Sequence, residues 1–165
     1  MTRLLPPTLV WLLLGVAVPL GLYAPVVGPA DWPWRLAGLV PLFGGLVLAR
    51  AGHRLFERTG TAIGTFDKAT VLVTTGPFAY TRNPMYLGLT AVLGGVAVIV
   101  GSLTAWLAPI GFAAVATGWY IPLEERAMRA TFGSAYAEYA GRVPRWLGPV
   151  RQARQSHHER DRPAH

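Results

Sequence analysis

Apolar residues along this chain form long uninterrupted runs, without the alternation of strands or the one-sided stripe of surface helices. Residues 4–30 carry no charged side chain, and neither do residues 83–123, a stretch of 41 residues. A transmembrane helix needs about 20 consecutive, mostly apolar residues. The first run therefore predicts one membrane helix, near Leu4 to Tyr23. The second predicts a hairpin of two membrane helices.

The hairpin is predicted from Pro84 to Gly101 and from Leu103 to Leu123, with Gly101-Ser102 as its turn. A further span, from Trp32 to Ala49 and ending near Ala51, rests on a shorter uncharged segment of 14 residues, Leu36 to Ala49. Arg35 would reach back to the lipid headgroups. A re-entrant segment is the alternative for this span. The pattern predicts an all-α polytopic membrane protein with about four transmembrane helices.

Basic residues are distributed unequally between the two sides that four spans create. Fourteen of the fifteen Lys and Arg residues fall on the side of both termini, and Arg35 falls on the other. The positive-inside rule places the richer side in the cytoplasm. We expect both termini there, in the inner (plasma) membrane if the source is bacterial. The alternative for the first segment, a cleaved signal peptide, lacks a clear small-x-small cleavage site.

The amino-acid composition excludes several classes of function for this chain. Hydrophobic residues make up 52% of the chain and charged residues 14%, against about 25% charged in an average soluble domain. The net charge of +7 comes from residues beside the spans, which suits membrane lipids as partners and disfavours nucleic acid. The absence of cysteine excludes thiolate metal sites and cysteine nucleophiles. His53 stands alone, and the other histidines lie near the C-terminus, so we expect no metal site.

The segment after the hairpin predicts a short cytoplasmic helical region. Gly133 can end the long helix, and a second helix then carries an aromatic stripe that ends at Val143-Pro144. Its members share one helix face: Phe132, Tyr136, Tyr139 and Val143. Residues 1–150 are expected to form one domain, and the polar segment 151–165 a disordered tail.

Glycines repeat between the second and third predicted helices. Gly38, Gly44 and Gly45 recur fifty residues later as Gly88, Gly94 and Gly95. Small residues let membrane helices approach closely, so a shared packing need explains the spacing better than an internal repeat does.

Two polar clusters stand at the ends of the hairpin. Glu124-Glu125 follows the 41 uncharged residues, and an ionisable group at a membrane boundary is a candidate for function. The alternative is a structural end of the span, with the acids paired to Arg126 or Arg129. At the other end, Arg82-Asn83-Pro84 opens a helix, with Asn83 as N-cap and Pro84 in the first turn. The helix dipole and Arg82 together suit a carboxylate, although capping and anchoring alone also explain this cluster.

The ordered motifs around these clusters resemble those of the integral-membrane methyltransferases of the isoprenylcysteine carboxyl methyltransferase and phospholipid methyltransferase group. The shared pattern is Leu-Val-x-x-Gly-Pro-aromatic, Arg-His/Asn-Pro-x-Tyr-x-Gly, a helical hairpin, Glu-Glu, Phe-Gly-x-x-Tyr-x-x-Tyr and Val-Pro-Arg. It is present here in order as Leu72 to Gly88, Glu124-Glu125, Phe132 to Tyr139 and Val143 to Arg145. The resemblance covers about Thr61 to Trp146.

The resemblance implies S-adenosylmethionine as cofactor, bound where the hairpin meets the cytoplasm. Asn83 and Arg82 would hold the carboxylate of the cofactor, Glu124 its amino group or ribose, and Phe78 and Tyr86 its adenine or sulfonium, while Tyr136 and Tyr139 would close the site. The implied cofactor-binding positions are Thr70, Val71, Leu72, Val73, Phe78, Arg82, Asn83, Pro84, Met85, Tyr86, Glu124, Tyr136 and Tyr139. No residue is assigned as a catalytic base.

The methyl acceptor is expected to be lipophilic and to enter from the bilayer, with Tyr80 and Tyr120 shaping its site. The isoprenylcysteine enzymes carry an Arg one turn before the first Glu, and Tyr120 stands there instead. This disfavours a prenylcysteine carboxylate and leaves a phospholipid amine, a small thiol or another lipid. Two other functions remain open: an NADPH-dependent enzyme resembling sterol reductases, and a non-catalytic membrane helper of the same fold.

Reporter fusions test the predicted topology directly. Fusions at Thr2 and at His165 should both report the cytoplasm, because four spans return the chain to the side on which it starts. Opposite locations for the two reporters would contradict the four-span topology and require an odd number of spans.

Overall fold

Apolar runs and turn residues divide the chain into helices in this computed structural model, which describes residues 6–23, 33–59 and 70–150. Short 3₁₀ turns, Trp34–Gly38 and Leu103–Trp106, precede two of the α-helices, and another covers Gly76–Ala79. The α-helices are α1 (Pro6–Tyr23), α2 (Leu39–Thr59), α3 (Pro84–Val100), α4 (Leu107–Val115) and α5 (Ile121–Arg142). No strand occurs in these three ranges.

Three helical stretches are long and apolar enough to cross a membrane: Pro6–Tyr23, Trp34–Thr59 and Leu103–Arg142. The fourth, Pro84–Val100, is apolar and has 17 residues, or about 25 Å at 1.5 Å per residue. The protein is therefore an all-α polytopic membrane protein, as the hydrophobic runs predict. The continuous 26 residues of Trp34–Thr59 contradict the re-entrant alternative, since such a segment must turn back inside the membrane.

Helix α2 extends two turns beyond the predicted end near Ala51. The charged residues that end the apolar run belong to an amphipathic continuation, which buries Gly52 and Phe56. On its open side, Nε2 of His53 lies 3.3 Å from a carboxylate oxygen of Glu57, one turn further along. The predicted helix boundary was wrong. The apolar run ends where the charged residues begin, but the helix continues through them to Thr59.

The turn between α3 and α4 has the conformation that Gly101-Ser102 predicts. Gly101 adopts φ +70°, the left-handed conformation that glycine enters at no steric cost, and Ser102 is extended. The guanidinium of Arg35 lies so close to Gly101 that any side chain there would overlap it. Arg35 therefore covers this turn, and its predicted reach towards the headgroups stays a prediction.

Helices α2 and α3 pack antiparallel through glycines. A methyl group on Gly88 would come within 2.5 Å of the Gly45 carbonyl oxygen, and one on Gly95 within 2.5 Å of the Gly38 carbonyl oxygen. The reciprocal substitutions at Gly38 and Gly45 meet the same backbones. The predicted close approach is confirmed for these four glycines. Gly44 and Gly94, in contrast, have no neighbouring atom within 4 Å of a methyl group in the described residues.

Helices α4 and α5 form one long element with two irregularities. A π-helical turn, Ala116–Tyr120, joins them and directs both Ala116 and Tyr120 into the core. Gly133 then adopts φ +53°, so α5 breaks at the position where the sequence predicts a helix end. The chain leaves the second part of α5 at Val143, which is extended, as the following Pro144 predicts.

The main core lies between α1, α3 and the α4–α5 element. Its fully buried members include Leu93 of α3, Phe112 of α4 and Ile121 of α5, and α1 adds Val10 and Ala17. Helix α3 contacts α1, α2 and α4, so it is packed against three neighbouring helices.

Several sequence predictions fall outside the described residues. These are the tail 151–165, the positions of both chain ends, the start of the first helix at Leu4 and the segment from Thr61 to residue 69. They stay predictions.

The adjacent pair Gly44 and Gly45 tests the packing of α2 against α3. Gly45→Ala should destabilise the protein by about 1–3 kcal/mol, because its methyl group would overlap the Gly88 backbone and force the helices apart. Gly44→Ala gains the same intrinsic helix propensity and meets no neighbour. Thermal unfolding in detergent should show a lower midpoint for Gly45→Ala alone. Equal midpoints would contradict the glycine contact.

Candidate active site

The buried carboxylate of Glu125 links the segment before α3 to the segment after α5. Glu125, the fifth residue of α5, lies 2.9 Å from Nη1 of Arg82 and accepts two hydrogen bonds from Arg145, at 3.0 Å to Nε and 2.7 Å to Nη2. Such two-pronged pairing is the strong form of an Arg–carboxylate interaction. These hydrogen bonds from Arg145 to Glu125 raise the pKa of Arg145. Two guanidinium groups from distant parts of the chain therefore meet on one acid.

Arg82 is largely buried, and some of its N–H donors are not used in hydrogen bonds by the described residues. Its side chain is only 13% exposed, yet among the described residues Nε and Nη1 make no hydrogen bond, since the 2.9 Å approach of Nη1 to Glu125 is not aligned as one. Tyr136 lies within hydrogen-bonding reach of the same guanidinium. Buried donors of this kind normally have a partner. Arg82 thus has directed N–H groups to offer to a bound anion.

The segment that follows α5 is hydrogen-bonded to the start of α3. The backbone N–H of Arg82 donates to the carbonyl of Pro144 at 2.9 Å, and Nδ2 of Asn83 donates to the carbonyl of Arg145 at 2.8 Å. Thr81 Oγ1 also donates to the Arg145 carbonyl, at 3.3 Å. We call Val143 to Trp146 the strap, because it crosses and holds the beginning of α3.

Asn83 is the N-cap residue of α3, as predicted, but it does not cap the helix with its side chain. Asn83 occupies the position before α3, and Pro84 fills the first helical position as predicted, but the Asn83 side chain makes no capping hydrogen bond. Its amide is directed to the strap instead. The predicted structural alternative for the acids, pairing with Arg126 or Arg129, is likewise replaced at Glu125 by pairing with Arg82 and Arg145.

Glu124 points to a different neighbourhood from Glu125, because successive helical residues are about 100° apart. The hydroxyl of Tyr86 donates to its Oε1 at 2.7 Å, and the Glu124 side chain is half-buried. The Tyr86 ring lies nearly parallel to that of buried Tyr120, with centroids 6.1 Å apart. An acid and two aromatic rings thus form one wall beside the start of α3.

The remaining predicted positions divide into a packed group and an exposed group. Leu72 packs against Tyr136 and Tyr139, while Val73 and Phe78 form a second cluster with Phe56. The hydroxyl of Tyr139 donates to the carbonyl of Phe78 at 2.8 Å, which ties the two clusters together. Pro84 is buried and Met85 packs beside Phe78. Thr70, Val71 and Tyr80 are exposed.

Comparison with known proteins places this arrangement in a family. The sequence pattern that defines the phospholipid methyltransferase family matches residues 34–135, well over half of the chain. The chain belongs to the phospholipid methyltransferase family. The predicted membership of this membrane methyltransferase group is thereby confirmed.

Among curated sequences, an uncharacterized protein of Haemophilus influenzae is 36% identical over 63 residues, which are 38% of this chain and the whole of that relative. No solved structure matches the chain significantly. The family match ends before the strap, so the pairing of Arg145 with Glu125 comes from the structure alone.

Sequence reasoning passed over three residues that the structure brings to the site. The resemblance assigns a role to Glu124 and none to Glu125, and it includes Arg145 only as a motif position and Trp146 only as the end of the matching region. The ordered Val-Pro-Arg motif was the available signal, because an Arg that follows a helix end at a fixed distance from an acid pair is a candidate partner. The Trp146 indole donates to Thr117 Oγ1 at 3.2 Å, for which the sequence carries no signal.

Replacing Glu125 tests its role in holding the strap. Glu125→Gln should destabilise the protein by about 3 kcal/mol or more, since it leaves buried Arg82 without its counter-charge. Glu138→Gln is the control, because Glu138 is exposed and only 3.7 Å from Arg142 on the same helix face. Thermal unfolding should show a much lower midpoint for Glu125→Gln. Similar midpoints would show that the buried pair does not hold this end together.

Proposed function

We propose that this protein is an S-adenosylmethionine-dependent methyltransferase that modifies a lipophilic acceptor at the end of the bundle where α3 and α5 begin. Membership of a membrane methyltransferase family supports the reaction class. The observation that carries the proposal is the meeting of a donor-rich cation, Arg82, with a separate half-buried acid, Glu124, beside stacked aromatic rings.

The residues present suit this cofactor. S-adenosylmethionine carries a carboxylate, an ammonium, a sulfonium and an aromatic base. The unshared N–H groups of Arg82 suit the carboxylate, and their burial strengthens a charge-assisted hydrogen bond. Glu124 suits the ammonium or the ribose hydroxyls, with Tyr86 holding its carboxylate in one orientation. The faces of Tyr86 and Tyr120 suit a positive charge.

The cofactor when bound supplies a methyl group activated by the positive sulfur. The chain contributes alignment and a water-poor surrounding, which are what an in-line transfer needs most. With Arg82 and Glu124 holding the cofactor, an acceptor aligned beside the aromatic rings would take the methyl group and leave the bonding electrons on sulfur, and an amine acceptor would also have to release a proton. We assign no side chain as the base for that proton.

An acceptor without a negatively charged reacting group fits this site best. Tyr120 is buried and stacked on Tyr86, and it supplies no positive charge to hold a carboxylate. Glu124, the fourth residue of the helix that follows the π turn, adds negative charge on the same side. Since an anion would be repelled and an amine attracted, a lipid amine is favoured over a prenylcysteine carboxylate.

Binding of the cofactor tests the role of Glu124. Glu124→Gln should weaken binding of S-adenosylmethionine about ten- to a hundredfold, the effect of losing one charge-assisted hydrogen bond. Isothermal titration of purified protein in detergent measures this, and Glu138→Gln is the matched control. Equal affinities in the two variants would contradict the assignment of Glu124, and the absence of any binding to the unaltered protein would contradict the proposed function.

A further inference from the structure

A groove on the membrane-facing side of the bundle lies beside the candidate site. It is a shallow, widely open depression with a volume of about 620 Å³. Side chains from α3, α4, the π turn and the strap line it: Thr90, Ala113, Ala114, Thr117, Gly118 and Trp146. Most of these residues are small, so the groove exists because the α4–π-turn surface lacks bulk where it faces Thr90.

The polar atoms of the groove are already satisfied by the protein. Thr90 Oγ1 donates to the carbonyl of Tyr86 at 2.8 Å, and Thr117 Oγ1 accepts the indole N–H of Trp146 at 3.2 Å. The surface left for an occupant is therefore methyl groups and an indole ring. An occupant needs no polar group here, and it must come from the surroundings of a membrane-spanning helix, which are lipid chains.

The groove continues from the wall of the candidate site. Thr90 lies one turn beyond Tyr86 on α3, about 6 Å deeper along the helix. Ala113 lies eleven residues before Glu124, about 16 Å along the other wall. Trp146 packs against the core cluster that contains Tyr86 and Tyr120, at the end of the groove nearest the strap. A chain in the groove would thus emerge beside the acid and the stacked rings.

We propose that this groove holds one hydrocarbon chain of the lipid acceptor and that Trp146 is a specificity-determining residue at its site end. The identity of the occupant as acceptor rests on the proposed function, whereas binding of a chain does not. Trp146, the last residue of the strap, donates its indole N–H to Thr117 and packs against the core cluster, so its ring stands between the groove and the candidate site.

A larger side chain in place of Gly118 would block the groove. No atom of the described residues lies within 4 Å of a methyl group added there, so a larger side chain enters the groove without displacing the fold. Gly44 on α2 is the matched control, since it is equally open and lines another surface. The two variants, Gly118→Leu and Gly44→Leu, add the same side chain to a membrane helix.

Fluorescence in lipid nanodiscs tests occupancy. The probe is phosphatidylethanolamine brominated near the middle of one acyl chain, because bromine quenches a tryptophan that it contacts. Each variant is compared with the same variant carrying Trp146→Phe, so that the difference reports Trp146. Quenching of Trp146 should fall by half or more in Gly118→Leu and stay unchanged in Gly44→Leu. Equal quenching in both variants would overturn the proposal.

Methyl transfer separates this proposal from the proposed function. With phosphatidylethanolamine as acceptor, Gly118→Leu should raise KM for the lipid about tenfold by displacing about two methylene groups, and leave the affinity for S-adenosylmethionine unchanged. An unchanged KM would show that the groove does not hold the acceptor. If the unaltered protein binds no S-adenosylmethionine, the proposed function fails, and the quenching comparison still decides whether a chain occupies the groove.

Discussion

The placement of one carboxylate between two guanidinium groups is the constraint on which the rest of this end of the molecule depends. Glu125 joins α5 to Arg82, just before α3, and to Arg145, in the strap. A buried charge network of this kind contributes less to net stability than its contacts suggest, because all three groups lose water. Its value is specificity of arrangement. With Glu125 ionised, α3, α5 and the strap have one register in which the acid meets both cations, and one positive charge is left over for a bound anion.

The glycine contact between α2 and α3 has a complementary role within the membrane. Lipid chains are as apolar as leucine, so helices there gain little by merely hiding apolar surface. Close backbone approach at Gly45 and Gly88 gives many dispersion contacts in exchange for side chains that are absent. Helix α3 is then fixed along its length by packing and at its start by charge, which makes it a firm base for Tyr86.

Local composition explains why the membrane helices were predictable, and sequence distance explains what was not. An uncharged run of 41 residues and Gly101-Ser102 carry their own structural signals. The partner of Asn83, in contrast, lies 62 residues away, and Arg145 lies 20 residues from Glu125. Which acid faces which neighbour also depends on the π turn before α5, and Ala116–Tyr120 has no local signature for that irregularity. The resemblance to a family identified the region, while the pairings needed coordinates.

The π turn separates the long α4–α5 element into two parts with different surroundings. In an uninterrupted α-helix, each residue is rotated by a fixed angle from the one before it. A rotation of the helix near Phe112 would therefore also rotate the acids of α5. The wider turn at Ala116–Tyr120 absorbs such a rotation locally. The membrane half, with its groove, and the polar half, with Glu124 and Glu125, can therefore diverge separately. Proteins built on this plan can keep one polar end while the shape offered to the bilayer changes.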